Sequence, residues 1–234
     1  MPIPCYLAMT PAEMSEKWMP GTGAAWMACH FSPYGTGLSN LPEWLPPESL
    51  LILNDRTPIH DHDPVLISAQ LGDCAARLGC CGILLDFQRP GQEQTRALAR
   101  YLCRSLPCPL AVSEAYAEDA STVFVSPVPA DTGLETHLSR WKGREIWLEL
   151  GLDTEEISLT EQGAQIRTLP AWAHPEDGFS DGHLHCRYRV ELSKDRAVFT
   201  LWRTPEDLKA LLEEADRLGV TAAVGLYQEL HHRP

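Results

Sequence analysis

Asp86 and Gln88 are the residues of this chain whose types and spacing point most directly to chemistry. They lie two apart in residues 82–90, GILLDFQRP, where an apolar run ends in a carboxylate, an aromatic ring and an amide. Strand side chains alternate with period two, so a strand here aims Asp86 and Gln88 the same way at its C-terminal tip. A carboxylate at that tip can orient a polar substrate or take up a proton. A primary amide can donate and accept hydrogen bonds but cannot deliver a proton at neutral pH. Further polar residues close other apolar runs: His30, Asn54 with Asp55, Glu114 with Tyr116, Ser126, Glu149 with Asp153, and Tyr227 with Glu229. Each also suits a strand that simply ends at solvent. If the tips converge, Asp86 with Glu114 or Glu149 makes a carboxylate pair of the kind glycoside hydrolysis requires.

The elements that must hold these residues alternate between β and α character. Strands are expected at Cys5–Met9, 24–30, Leu50–Asn54, Gly82–Asp86, Leu110–Ser113, 123–126, Glu145–Leu150 and 222–226. Helices are expected at 11–18, with Thr10 as N-cap and Pro11 opening it, and at 63–78, 91–106 and 133–141. The strongest helix follows Thr204-Pro205, with Asp207 in capping-box position, an apolar face of Leu208, Leu211, Leu212, Ala215 and Leu218, and Gly219 as the stop. Residues 154–183 show no clear period and read as an insertion, and 187–192 with 197–202 read as a hairpin. Eight strands with mostly helical crossovers predict an α/β fold, a (β/α)8 TIM barrel with an inserted hairpin before the last helix. The expected organisation is one barrel domain over residues 1–234. An open doubly wound sheet is the competing architecture, but no glycine-rich phosphate loop follows the first strand.

Composition limits the partners. With 44% apolar residues in 234 the chain can bury a large core, and a net charge of −13 argues against nucleic acid and anionic membranes. The N-terminus lacks the basic and apolar stretches of a signal peptide, and no apolar run is long enough to span a bilayer; a cytoplasmic location is expected. Eight cysteines contain no CxxC pair and are read as reduced, mostly buried thiols. His60-Asp61-His62-Asp63 offers metal-compatible groups, but equally a turn with Asp61 or Asp63 capping the next helix. No metal and no cofactor are assigned.

The order of parts resembles the glycoside hydrolase family 18 barrel, the fold of chitinases and related amidoglycan hydrolases. That family's fourth strand carries DxxDxDxE, and Cys81, Leu84, Asp86 and Gln88 fall on its four positions. Residues 197–230 are similar to its closing strand–helix–strand pattern, with Lys209 and Leu218-Gly219-Val220 in place and Tyr227 where the family has a tryptophan. The resemblance implies a carbohydrate site at the strand C-termini with Asp86 as the residue that orients the substrate's acetamido group. It also implies that Gln88 replaces the general acid, so that little or no chitinase activity remains. Gln88, Asp55, Tyr34, Tyr116 and Tyr227 are the candidate ligand-binding residues, and Trp44 and Trp172 the loop tryptophans for stacking on a sugar ring. The alternatives are an active hydrolase, with Asp86 and a relocated carboxylate, Glu114 or Glu149, as catalytic pair, and a non-catalytic scaffold.

Overall fold

A computed structural model describes residues 3–15 and 23–231. Within them, eight parallel strands close into a barrel. They are β1 (Cys5–Met9), β2 (Gly23–Phe31), β4 (Leu50–Asn54), β5 (Gly82–Asp86), β6 (Leu110–Ser113), β7 (Thr122–Val125), β8 (Glu145–Leu150) and β14 (Val220–Leu226). Sequential strands are neighbours from β2 to β8, and β1 closes the ring by pairing with both β14 and β2. A short strap, β3 (Leu38–Ser39), runs antiparallel to the end of β2. Barrel strands are buried on both faces, which is why they read as nearly continuous apolar runs.

Ala8, Ala25, Leu50, Ile52, Leu84, Ala111, Phe124, Trp147, Ala222 and Val224 fill the lumen. Gly82 belongs to this packing, since a Cβ on it would stand 3.1 Å from the Trp147 ring. Outward-facing strand residues such as Leu51, Leu53, Ile83 and Leu85 pack with α1 (Pro64–Leu78), α2 (Glu93–Ser105) and α4 (Pro205–Arg217). Two expected caps form. Asp63 accepts from the Val65 N–H at 2.9 Å at the start of α1, and Thr204 and Asp207 make the capping box of α4. The α1 cap assigns His60–Asp63 to a turn, with the His62 ring between the Ser32 carbonyl and Phe31. All eight cysteines are free, and Cys29, Cys74 and Cys186 are buried.

Three expectations change. Over 11–18, the described residues form a 3-10 turn at Glu13–Ser15, with the Thr10 hydroxyl donating to Glu13; residues 16–18 lie outside the described set. The helix expected at 133–141 divides into α3 (Leu134–Leu138) and a 3-10 turn at Ser139–Trp141. The largest change is in the insertion. Residues 154–183 carry β9 (Thr154–Thr160), β10 (Gly163–Leu169) and β11 (Phe179–Asp181). With the expected hairpin, β12 (Cys186–Leu192) and β13 (Arg196–Trp202), they form a five-stranded antiparallel sheet in the order β10-β9-β13-β12-β11. Its outer strand β10 is exposed along nearly its whole length, so no buried face imposed an alternating pattern on its sequence. Arg203 ties this sheet to the barrel by donating to the carbonyls of Val128 (2.6 Å), Pro129, Leu184 and His185.

Candidate functional site

At the C-terminal tips of β1, β2, β4 and β5 the barrel opens into a cavity of about 590 Å³. Period-two alternation carries Leu84 and Asp86 on β5, and Ile52 and Asn54 on β4, to the same inner side. Asn54 and Asp86 are register partners at the ends of those adjacent strands. Asp86, Gln88, Asp55, Asn54, His30, Asn40, Arg56 and Arg89 supply the cavity's polar lining, with Ile52 and Met27 among its apolar surface.

The turn beyond β5 is held by an unusual density of hydrogen bonds. Ser113 accepts from the Phe87 N–H at 2.7 Å and donates to the Leu85 carbonyl at 2.8 Å. The buried Asp55 carboxylate accepts from the N–H groups of Gln88 (3.0 Å) and Arg89 (2.8 Å). Below the turn, the Tyr116 hydroxyl donates to the Arg89 carbonyl and accepts from the Gln92 N–H. Phe87, 1% exposed, anchors the turn between Phe31 and Tyr116. Thus Gln88 is aimed by the backbone that Asp55 grips, and its amide donates to the Asp86 carboxylate at 2.5 Å.

Electrostatics separates the three candidate catalytic carboxylates. Burial pushes the Asp86 carboxyl above its ordinary range; the Gln88 hydrogen bond opposes that shift and the Asp55 charge adds to it. Glu149, at the end of β8, is pushed up to about 7 by burial and by the like charges of Asp86, Glu229 and Asp153. It therefore exchanges its proton with solvent within the neutral range. Glu114 is engaged differently, accepting from the Ser126 hydroxyl at 2.8 Å and ion-paired with Arg140.

Asp55, Asp86 and Gln88 thus share the cavity. Glu149 and Glu114 do not line it, although Glu149 is electrostatically coupled to Asp86. The three tyrosines lie elsewhere. Tyr34 is 98% exposed on the loop after β2, Tyr116 is buried beneath the turn, and Tyr227 packs on Leu7 and Met9. Trp44 belongs to the opposite end of the barrel, since the neighbouring Glu43 carbonyl accepts from Arg77 in the last turn of α1. Trp172 is exposed on the inserted segment. Sequence reasoning missed Asn40, Arg56 and Arg89. The two arginines directly follow tip residues already singled out, Asp55 and Gln88, and that adjacency was the available signal.

Among solved structures, the spore cortex-lytic enzyme SleL of Bacillus cereus superposes with a TM-score of 0.57 at 10% identity, covering 95% of this chain and 70% of SleL. The fold is chitinase-like. SleL of Bacillus megaterium QM B1551 gives 0.55 at 11% identity, with the same two coverages. Human YKL-39, a pseudo-chitinase with retained chitooligosaccharide binding properties, gives 0.54 at 9% identity over 99% of this chain and 96% of its own. No family model matches the sequence, and no curated protein does. The chitinase-like barrel expected from the strand order is therefore present at an identity that carries the fold alone.

Proposed function

We propose that this chitinase-like barrel binds a carbohydrate of the amidoglycan type at its strand C-termini and has little or no chitinase activity. The observation that carries this reading is the Asp86–Gln88 pair in an open cavity of about 590 Å³. The cavity has room for a sugar ring, and its floor offers carboxylate and amide groups that suit hydroxyl and acetamido partners. Gln88 occupies the place where a glycosidase would keep its acid, and its amide has no proton to give. YKL-39, of similar fold, is a pseudo-chitinase that retains chitooligosaccharide binding, which supports the same combination here. In this reading residues 1–234 act as one cytoplasmic barrel domain, and neither nucleic acid nor membrane is a partner. Asp86 and Gln88 hold the ligand, while Asp55 and Tyr116 position the turn that presents Gln88.

The test is calorimetric titration with chitotetraose and chitohexaose, with chromatography of the same mixtures after prolonged incubation. Binding that is weakened tenfold or more by Asp86→Ala, with no released product, supports the reading. Absence of binding overturns it.

A second reading, an active hydrolase, is favoured by one observation. Glu149 keeps a proton near neutral pH and interacts with Asp86, as an acid paired with a charged partner would. Product release that disappears in both Asp86→Asn and Glu149→Gln would establish that reading in place of the first.

A further inference from the structure

Charge in the cavity is segregated. The carboxylates lie at its floor, where Asp55 is committed to two backbone N–H groups and Asp86 to the Gln88 amide. The guanidiniums of Arg56 and Arg89 lie at its exposed rim. Several other arginines are matched, while among the described residues Arg104 and Arg217, in the last turns of α2 and α4, also have no carboxylate at ion-pair distance. Arg96, Arg100, Arg140 and Arg189 have carboxylate partners, and Arg77, Arg144 and Arg203 each donate to two or more backbone carbonyls. Among the described residues, Arg56 and Arg89 have no carboxylate at ion-pair distance. A single Arg89 nitrogen is used, donating to the Arg56 carbonyl at 2.8 Å, and this bond keeps the two residues side by side.

Their backbones are fixed as well. The Arg56 N–H donates to the Asn54 side chain at 3.0 Å and the Arg89 N–H to Asp55 at 2.8 Å. Two cations lining one cavity on an anchored backbone, in a chain of net charge −13, place positive charge at its rim. Guanidinium geometry matches carboxylate and other oxyanions through paired N–H donors.

We propose that Arg56 and Arg89 form an anion-binding rim and that the cavity is selective for a glycan bearing an acidic substituent. This deepens the carbohydrate-binding reading and rests on it. A neutral part of the ligand meets Asp86 and the Gln88 amide beside it, while a carboxylate or ester anion on the same or the next ring meets the two guanidiniums.

The experiment titrates the full chain with three tetrasaccharides. One is neutral chitotetraose, one alternates N-acetylglucosamine with carboxylate-bearing N-acetylmuramic acid, and one is sulfated chitotetraose. An acidic ligand is expected to bind at least about tenfold more tightly than the neutral one at low salt, with the margin shrinking as salt is raised. Arg56→Gln and Arg89→Gln are each expected to remove about fivefold of that margin, read as the ratio of acidic-ligand to chitotetraose affinity within the same variant. Circular dichroism and thermal melts confirm that both variants fold. Preference for the carboxylated or for the sulfated ligand identifies the source of the anion. Equal binding of all three, or a margin unaffected by both substitutions, overturns the anion rim and leaves the carbohydrate reading standing. No binding of any ligand overturns both.

Discussion

Gln88 donates its side-chain amide to the Asp86 carboxylate across 2.5 Å, so a neutral donor faces a half-buried acid where a second carboxylate would repel it. Gln88→Glu replaces that attraction by like-charge repulsion and raises the proton affinity of both groups above their unfolded values. A raised folded pKa means stability that is present below the unfolded pKa and lost as pH rises through the folded one. The variant should match wild type near pH 4.5 and be about 1–3 kcal/mol less stable at pH 8. Urea denaturation at both pH values checks this, and a pH-independent difference would contradict it.

Glu149 carries the same sign in the native protein. Its folded pKa of about 7 lies above the ordinary 4.5, so its protonated form supports the fold below pH 4.5 and that support disappears as pH rises through 7. Glu149→Gln keeps a neutral side chain at every pH. The stability of the variant relative to wild type should therefore rise between pH 5 and pH 8, by up to about 3 kcal/mol. Denaturation curves at pH 5, 6, 7 and 8 give the slope, and a flat difference would refute the shift.

Asp55→Ala removes the acceptor for two backbone N–H groups and leaves both half-buried donors without a partner. A loss of about 2–4 kcal/mol is expected, together with faster hydrogen exchange at the Gln88 and Arg89 amides. Exchange unchanged at those two amides would show that Asp55 does not hold the turn.

Arg203→Met tests the joint between the inserted sheet and the barrel. The guanidinium is buried and reaches four carbonyls, so the variant leaves several acceptors without donors. The expected cost exceeds about 3 kcal/mol, or roughly 6–12 °C in Tm for a chain of this size. Calorimetry that shows a shift below about 2 °C would disprove this role.

Legibility in the sequence followed burial. Leu50–Asn54, Gly82–Asp86, Leu110–Ser113 and Glu145–Leu150 were bounded to the residue because both of their faces are covered and apolar runs end where cover ends. The α4 boundary was visible because its cap is local chemistry, Thr204 with Asp207. The strands of the insertion were obscured because adjacent polar residues, Glu155-Glu156 on β9 and Arg167-Thr168 on β10, place polar groups on both faces. At the site, Asp55, Asp86 and Gln88 could be found from strand tips alone. Tyr34, Tyr116 and Tyr227 could not be assigned in that way, because an aromatic near a tip can face the mouth, the core or solvent.

By itself the sequence determined the order of the eight strands, the position of Asp86 at the tip of the fourth, and an amide two residues further on, at Gln88. Those are properties of local pattern: period-two alternation, apolar run length and residue type. Only the tertiary structure decided which tips share a cavity, because closure of β1 on both β14 and β2 sets neighbours that lie far apart in the chain. It also decided that burial and neighbouring carboxylates push Glu149 up to about 7 while Glu114 is ion-paired with Arg140. Proton affinity depends on burial and on charges arriving from other strands, and neither is written at the residue itself.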